Sequence, residues 1–366
     1  MKKIYSCYIH IPFCEKICSY CDFCKLLYNK KIVNEYLNNL EKEIKKYYRG
    51  EILKTIYIGG GTPSCLNEEE LIRLFSILKV LKKDSSTEFT IEGNFENTSK
   101  EKLEIYKKNG VNRLSFGIET TNKKHLEKLD RTINKQKIKE IIQEARKIGF
   151  NNINVDLIYA IPNQTIKQLE DDISFALSLN VEHISTYSLI IENNTILKIN
   201  NEKNIDEELD AEMYEKIYST LKRNNYIHYE ISNFSKEGYQ SQHNMCYWNN
   251  NNYYGFGLGA SSYIDNKRII NTKSITKYNN GIIGKKEEII SKKDEIEYEI
   301  MLKLRKKEGI SLLNFQEKYS KKLEELYDVK KLIENKLLVR KDNYLFIPEN
   351  KWYISNEIII KLLGSD

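Results

Sequence analysis

The sequence predicts an α/β protein: an incomplete barrel of six βα units, followed by a small C-terminal α/β module that is winged-helix-like in its order of elements. Two observations predict this fold. Six apolar, β-branched runs alternate with helical periodicity up to about residue 190, and after about residue 285 the pattern changes to amphipathic helices around a short hairpin. Alternating strands and helices form a parallel sheet with right-handed crossovers, and ligands bind at the carboxyl ends of such strands.

The barrel elements follow from local patterns in chain order. The predicted strands are YSCYIHI, KTIYIGG, EFTIEGN, RLSFGIE, NINVDLIYAI and EHISTYSLII. The predicted helices occupy about 31–49, 67–82, 99–109, 134–148 and 166–179. Asn67 before EEEL, and Thr98 or Ser99 before KEKL, are capping residues that mark two helix starts.

The chain divides into three predicted parts. Residues 1–235 form the partial barrel, 236–284 contain the HNMCYW segment and a connection at about 267–280, and 285–366 form the C-terminal module. The module is predicted from amphipathic helices, a hairpin around LLVRKDNYLFIP and a final helix. Such modules often bind DNA, but no clustered basic recognition helix is evident. We therefore expect the module to cap the barrel or to dock a partner.

The composition is typical of a soluble globular protein. The 366 residues are 40% hydrophobic and 30% charged, and the net charge of +6 is spread along the chain. Because no basic cluster is interleaved with aromatic residues, we expect no nucleic-acid partner. The apolar runs fall short of the roughly 18 residues that span a bilayer, and the residues after Met1 show no cleavage site. We therefore expect a cytoplasmic protein.

Four of the seven cysteines lie in the stretch YIHIPFCEKICSYCDFCK: Cys14, Cys18, Cys21 and Cys24. An odd number of cysteines, bunched at one end of the chain, argues against a disulfide framework. Structural zinc normally takes two separated pairs of ligands, and no second pair follows. Thiolates in one tight loop are typical of an iron–sulfur cluster, and the Cx3CxxC spacing offers three ligands and then a fourth candidate. Three ligands on a four-iron cube would leave one iron open to S-adenosylmethionine (SAM).

Glycines and carboxylates follow other predicted strands at the same end of the sheet. The GGGTP segment at 59–63 follows the second strand; alone it would usually be a tight turn, but glycines also allow the backbone to approach a ligand. Glu92 ends the third strand, Glu119 ends the fourth, and Asp156 lies in the apolar fifth, where an unpaired charge is costly. Each carboxylate alone could form a structural salt bridge, whereas three on one rim favour a polar ligand pocket.

Five motifs occur in order over about residues 4–275: YIHIPFCEKICSYCDF, YIGGGTPS, NRLSFGIET, NVDLIYAIPNQT and YEISNFSKEGYQSQHNMCYWNNNNYYGFGLGASSY. Together they resemble the radical SAM family of oxygen-independent coproporphyrinogen III oxidase, and most closely its heme-chaperone branch. The resemblance implies a radical SAM barrel that holds a 4Fe-4S cluster and SAM.

The resemblance also implies roles for individual residues. Cys14, Cys18 and Cys21 match the cluster ligands. Glu119 is a departure, because the family more often has glutamine there; the acceptor oxygen is kept and the amide donor is lost. The SAM pocket implied by the resemblance comprises Tyr8 near the cluster, Tyr20 by the adenine, Gly60, Gly61 and Thr62 at the methionine amino group, Glu92 at the ribose, Glu119, Arg131 and Asp156, with Ser188 and Ser261 as backbone contacts.

The HNMCYW segment at 243–248 resembles the HNxxYW segment associated with heme binding in the chaperones. A histidine flanked by aromatic residues can ligate or cradle heme. The alternative is that His243 and Trp248 close the barrel mouth as packed, hydrogen-bonded groups. The GASSY segment lacks the histidine of the GAHS form found in many relatives. The predicted heme contacts are His243, Asn244, Tyr247 and Trp248.

Two functions are compatible with the resemblance. The oxidase has a Cx3CxxCxC pattern and a longer N-terminal segment, whereas this chain has Phe23 at the position of the extra cysteine and only seven residues before Tyr8. We therefore expect a heme chaperone that binds heme and passes it to acceptor hemoproteins. The alternative is an oxidase that decarboxylates coproporphyrinogen III propionates through a 5'-deoxyadenosyl radical, so enzymatic activity stays open. Peripheral contact with membrane hemoproteins and the oligomeric state also stay open.

Overall fold

The computed structural model describes residues 3–284 and 286–364. The strands, numbered along the chain, are β1 (Ser6–Ile11), β2 (Phe13–Cys14), β3 (Leu26–Leu27), β4 (Leu53–Gly60), β5 (Lys83–Gly93), β6 (Arg113–Glu119), β7 (Ile153–Tyr159), β8 (His183–Ser188), β9 (Ile227–Glu230), β10 (Asn233–Ser235), β11 (Tyr253–Phe256), β12 (Ser261–Ile264), β13 (Lys267–Ile270), β14 (Lys286–Ile289), β15 (Ile310–Ser311), β16 (Val339–Lys341) and β17 (Tyr344–Phe346).

The helices are α1 (Lys30–Tyr47), α2 (Glu68–Leu78), α3 (Lys100–Lys108), α4 (Lys123–Lys128), α5 (Lys135–Ile148), α6 (Ile166–Ser178), α7 (Ile196–Ile199), α8 (Glu207–Arg223), α9 (Gln242–Trp248), α10 (Ile275–Asn279), α11 (Lys292–Lys303), α12 (Leu312–Tyr319), α13 (Val329–Glu334) and α14 (Ser355–Leu363). Within the described ranges, none of these helices is long and apolar enough to cross a membrane.

The main sheet has twelve strands in the order β14-β13-β12-β11-β1-β4-β5-β6-β7-β8-β10-β9. The six central strands from β1 to β8 in this order are parallel neighbours and are the six predicted strands. The edge strands β14 and β9 stand at opposite ends of the order, so the sheet formed by the described residues is open, as an incomplete barrel requires. The predicted fold class is confirmed.

The helices between the strands begin and end close to their predicted limits. Asn67 forms a capping box with Glu70 at the start of α2, and the side chain of Ser99, rather than Thr98, caps α3. The apolar faces of α1, α2, α3, α5 and α6 share one buried core with the sheet. The carboxyl ends of β1 and β4 lie side by side, with Ile11 opposite Gly60, which brings the cysteine loop to the GGGTP segment.

Residues 253–289 contain more sheet than the sequence predicted. The segment at 267–280, interpreted as a connection, contains β13 and α10, and β13 pairs with both β12 and β14. These strands are short and partly charged, so their pattern does not reveal the pairing. The predicted boundary after 284 falls at residue 285, which lies outside the described residues, as do the predicted limits 1 and 366. The division into three parts stays a prediction.

The C-terminal module has its own apolar core, which includes Trp352. Helices α11 to α14 accompany a three-stranded sheet in the order β15-β17-β16, and the β16–β17 hairpin is the one that the sequence predicts. The module is attached to the barrel by main-chain hydrogen bonds: the Ile231 N–H donates to the Arg305 carbonyl at 3.1 Å, and the Lys307 N–H donates to the Tyr229 carbonyl at 3.0 Å.

Candidate functional site

The cysteine loop between β2 and β3 is closed at its base and anchored at its far side. Strand β2 pairs with β3, and the Tyr28 N–H donates to the Cys14 carbonyl at 2.8 Å. On the far side, the Ser19 N–H donates to the Leu129 carbonyl at 3.1 Å. These contacts define the path of the loop at both of these points.

The GGGTP segment packs directly against this loop. A Cβ on Gly61 would lie 2.8 Å from the carbonyl oxygen of Phe13, and Gly60 has a φ of +119°, which favours glycine. The Thr62 N–H donates to the same Phe13 carbonyl at 2.8 Å, and the Thr62 hydroxyl donates to the Cys14 Sγ at 3.6 Å. The glycines therefore permit close approach of two backbones, and the threonine holds the first predicted cluster ligand.

A cavity of about 370 Å³ opens beside the loop. It is lined by Cys14, Cys18 and Cys21 but not by Cys24. Of the predicted SAM residues, Tyr8 and Ser261 do not line it. The other nine do: Tyr20, Gly60, Gly61, Thr62, Glu92, Glu119, Arg131, Asp156 and Ser188.

Glu92 is held by two donors from β4. The Tyr57 hydroxyl donates to one carboxylate oxygen at 2.7 Å, and the Gly60 N–H donates to the other at 3.0 Å. Burial raises the pKa of Glu92. The carboxylate is thus oriented by two donors before it meets a ligand.

Glu119, on the neighbouring strand β6, forms a buried pair with Arg131. Glu119 accepts a hydrogen bond from the Tyr20 hydroxyl at 2.8 Å, and its Oε1 lies 3.6 Å from an Arg131 Nη2. The backbone of Glu119 is left-handed, with a φ of 61°. The second carboxylate oxygen and the Arg131 Nε are buried and have no hydrogen-bond partner. Unpartnered buried polar atoms are costly, so this pair fits a polar ligand.

Asp156 faces the cavity from β7, and the Asn154 side-chain amide donates to its Oδ1 at 2.8 Å. Burial raises the pKa of Asp156 to about 7. Because the folded pKa lies above the ordinary value of 3.8, the folded state loses stability as the pH rises from about 4 through 7 and the carboxyl ionises.

We therefore expect Asp156→Asn to stabilise the protein without SAM at pH 8, by about 2 kcal/mol because partial exposure to the cavity limits the effect, and to add nothing at pH 4. Urea unfolding at both pH values measures this difference. An equal change in the free energy of unfolding at pH 4 and pH 8 would contradict the assignment.

The cysteines suit a polynuclear cluster. All seven are free thiols. Burial raises the pKa of Cys14 and Cys21, and that of Cys18 to about 11, so iron binding must release protons. Across 3–284 and 286–364, no three His, Cys, Asp or Glu side chains are close enough to hold a single metal ion. Thiolates on a cube bind different irons and stand further apart.

The HNxxYW segment lies at the other end of the barrel. Helix α9 places His243 beside Thr55, near the start of β4, with a hydrogen bond of 2.7 Å between Nδ1 and the threonine hydroxyl. The other nitrogen pairs with the Tyr247 hydroxyl at 2.8 Å. His243 is 1% exposed, and burial lowers its pKa to about 3. Asn244, Tyr247 and Trp248 do not line the cavity either. His243 is thus a packed, hydrogen-bonded group, and both a heme contact and closure of the barrel mouth by this segment stay predictions.

The cavity contains residues for which the sequence predicted no part in the site. Ser115, Gly117 and Glu119 occupy every second position of β6, so the two-residue repeat of a strand places them on one face. Lys16, Lys25 and Ile190 lie outside regular strands, where no such period applies. The additional lining residues are Lys16, Ile17, Phe23, Lys25, Gly93, Asn94, Ser115, Gly117, Ile158, Tyr187, Leu189 and Ile190.

Comparison with known proteins identifies the class. Residues 8–176 match the Radical SAM superfamily, and residues 290–353 match the HemN C-terminal domain. Among solved structures, coproporphyrinogen III oxidase (HemN) from Escherichia coli superposes with a TM-score of 0.85 at 20% identity, covering 98% of this chain and 90% of that one. The fold and the matched domain define a radical SAM protein.

Curated relatives define the family more closely. Heme chaperone HemW from Bacillus subtilis is 41% identical, over 98% of this chain and 99% of its own length. Heme chaperone HemW from Lactococcus lactis is 37% identical, over 100% of this chain and 99% of its own length. The chain belongs to the HemW family of radical SAM proteins.

Membership of the radical SAM superfamily implies a 4Fe-4S cluster and SAM. The residues at the cavity fit both. Three thiols line it, and the carboxylates and the arginine offer hydrogen-bonding groups to a ligand that carries amino, carboxylate and ribose groups.

Proposed function

We propose that this protein is a heme chaperone: it binds heme and transfers it to acceptor hemoproteins. The observation that carries the proposal is full-length similarity to proteins named heme chaperone HemW, at 37–41% identity. We further propose that Cys14, Cys18 and Cys21 bind the cluster and that the nine predicted residues at the cavity bind SAM. When bound, the cluster and SAM would supply one-electron chemistry at the open iron.

The chain's own residues prepare the site for these groups. The Thr62 hydroxyl and the loop backbone fix Cys14, while Tyr57 and the Gly60 N–H orient Glu92. Arg131 balances the buried charge of Glu119. Such positioning, made before the ligand arrives, lowers the entropic cost of binding.

The rim of the cavity supports contact with a flat, apolar ligand that carries carboxylates. Phe23 is 69% exposed and Ile190 is 65% exposed, although both line the cavity. Exposed apolar side chains of this size mark surfaces that bind partners or ligands. Lys16, which pairs with Asp130 at 3.1 Å, and Lys25, which donates to the Cys21 carbonyl, also line the cavity. Exchange of these partners for the two propionates of heme would give charge-assisted hydrogen bonds.

The HNxxYW residues His243, Asn244, Tyr247 and Trp248 are the second proposed heme contact. Ligation of heme iron through His243 requires that the ring leave Thr55 or Tyr247, because both nitrogens are engaged. We therefore propose first contact at the rim, with any ligation by His243 following a movement of α9.

An anaerobic assay of the reconstituted full chain tests the function. We expect stable binding of heme, followed by an absorbance change when apo-cytochrome is added and takes the heme. With coproporphyrinogen III, SAM and a reductant, we expect no vinyl product. Formation of that product would reject the chaperone proposal in favour of the oxidase. The similarity to HemN does not itself favour the oxidase, because at 20% identity it is evidence of fold alone.

Variants separate the two heme contacts. We expect Phe23→Ser to weaken heme binding about tenfold through loss of apolar contact. The control is Leu313→Ser, which removes another exposed apolar side chain, 59% exposed, on α12 of the C-terminal module. Equal heme affinity in Phe23→Ser and Leu313→Ser would contradict a heme contact at the rim. If His243→Ala loses heme binding and Phe23→Ser keeps it, the heme contact lies at α9.

The proposed partners and location follow from this function. Acceptor hemoproteins are the proposed partners, including peripheral contact with those in membranes. The cytoplasm is the proposed location, where reducing conditions keep thiols free for cluster assembly.

A further inference from the structure

Tyr57 lies between the two regions that the sequence analysis singled out. It is partly buried on β4 and does not line the cavity, and although it begins the YIGGGTPS motif, the sequence predicted no role for it. Its hydroxyl reaches the cavity wall, and its ring reaches α9. Tyr57 is therefore a direct physical link between the predicted SAM site and the HNxxYW segment.

The hydroxyl end of Tyr57 determines how Glu92 is held. It donates to one Glu92 oxygen at 2.7 Å, while the Gly60 N–H occupies the other at 3.0 Å. Hydrogen bonds to a carboxylate are stronger than neutral ones, especially where solvent is largely excluded. Loss of the phenol would leave Glu92 with one donor and a freer rotamer.

The ring end of Tyr57 packs on His243. The two rings are stacked with centroids 4.9 Å apart and an angle of 27° between their planes. His243 is in turn fixed by Thr55 and Tyr247, and its backbone N–H donates to Glu88 at 2.9 Å. In a packed core, neither ring can shift without displacing the other.

We propose that Tyr57 is a positioning residue that couples SAM binding at Glu92 to the position of His243 and helix α9. The inference rests on the SAM site of the proposed function. A ligand bound to Glu92 favours the present position of Tyr57, and the stacked ring of Tyr57 then holds His243 and α9 in their present positions. Coupling of this kind is reciprocal, so a movement of α9 that frees His243 must also weaken SAM binding.

The first test measures SAM affinity by equilibrium dialysis of the reconstituted full chain with labelled SAM. Tyr57→Phe removes the hydroxyl and keeps the ring, and we expect SAM to bind about tenfold more weakly. The matched control is Tyr254→Phe, which removes a tyrosine–glutamate hydrogen bond of 2.8 Å to Glu51, away from the cavity. We expect the control to change the affinity less than twofold. Equal effects of the two substitutions would overturn the proposal.

The second test follows hydrogen exchange of the α9 amides with and without SAM, with α5 as internal reference. We expect SAM to slow exchange in α9 of the wild-type protein, and Tyr57→Phe to reduce that effect severalfold while the α5 amides stay unchanged. We also expect His243→Ala to weaken SAM binding, although His243 does not line the cavity.

The outcomes distinguish failure of the coupling from failure of the proposed SAM site. If SAM binds but leaves α9 exchange unaltered in the wild-type protein, the coupling is absent and this proposal alone fails. If the wild-type protein does not bind SAM at all, the cofactor assignment fails and the coupling fails with it. A merely structural contribution of Tyr57 would change α9 exchange equally in the presence and absence of SAM.

Discussion

Replacement of Cys14, Cys18 or Cys21 by serine is expected to abolish iron binding, whereas Cys24→Ser should leave the iron content unchanged. The three cysteines line one cavity, and Cys24 does not. A serine hydroxyl is a poor replacement for a thiolate, which is the ligand that iron–sulfur clusters require. Iron and sulfide per chain after anaerobic reconstitution, together with the visible absorbance of the cluster, measure the result.

The control for this series is Cys246→Ser, which alters a buried thiol in α9, far from the cysteine loop in sequence. It should retain the full cluster. Loss of iron in Cys24→Ser, with Cys246→Ser intact, would make Cys24 a ligand and would leave no open iron for SAM.

Replacement of Arg131 by methionine is expected to lower the free energy of unfolding by about 3 kcal/mol, because it leaves the 7%-exposed Glu119 as an uncompensated buried charge. SAM binding should be lost as well, since Arg131 is one of the proposed contacts. Urea denaturation of the protein without SAM measures the stability, and equilibrium dialysis measures the binding.

Two further variants separate stability from binding. The control Arg146→Met breaks a pair in which Arg146 lies 2.8 Å from Glu182, away from the cavity. Because Lys236 lies 3.9 Å from the same carboxylate and remains, this variant should cost only about 1 kcal/mol and spare SAM binding. The double variant with Glu119→Gln should recover most of the stability of Arg131→Met but not the affinity. Normal SAM affinity in Arg131→Met would remove this residue from the site.

The central fold could be predicted from the sequence because its signals are local. Each strand of the parallel sheet contains a short segment rich in β-branched and aromatic residues, and Asn67 or Ser99 marks a helix start by its own side chain. The strands β12 to β14 depend on pairing with one another across turns, and β14 is exposed along its length, so no burial pattern reveals it.

The residues of the candidate site also divide into those predicted from nearby sequence and those whose contacts are distant in sequence. The cysteine spacing and the strand-end carboxylates predict residues that the fold brings to one cavity. Tyr57 could not be predicted, because its importance arises from contacts with Glu92, 35 positions away, and with His243 on a helix at the far end of the barrel. The burial of His243 likewise follows from tertiary packing that one segment does not encode.

The closed base of the cysteine loop separates the atoms that shape the loop from the atoms that would bind iron. The strand pair β2–β3 and the hydrogen bond from the Tyr28 N–H to the Cys14 carbonyl use main-chain groups alone. The sulfur of Cys14 takes no part in this closure, so closure of the loop and iron binding do not compete for the same atoms. A serine at a cluster position would therefore remove a ligand and leave the main-chain closure available.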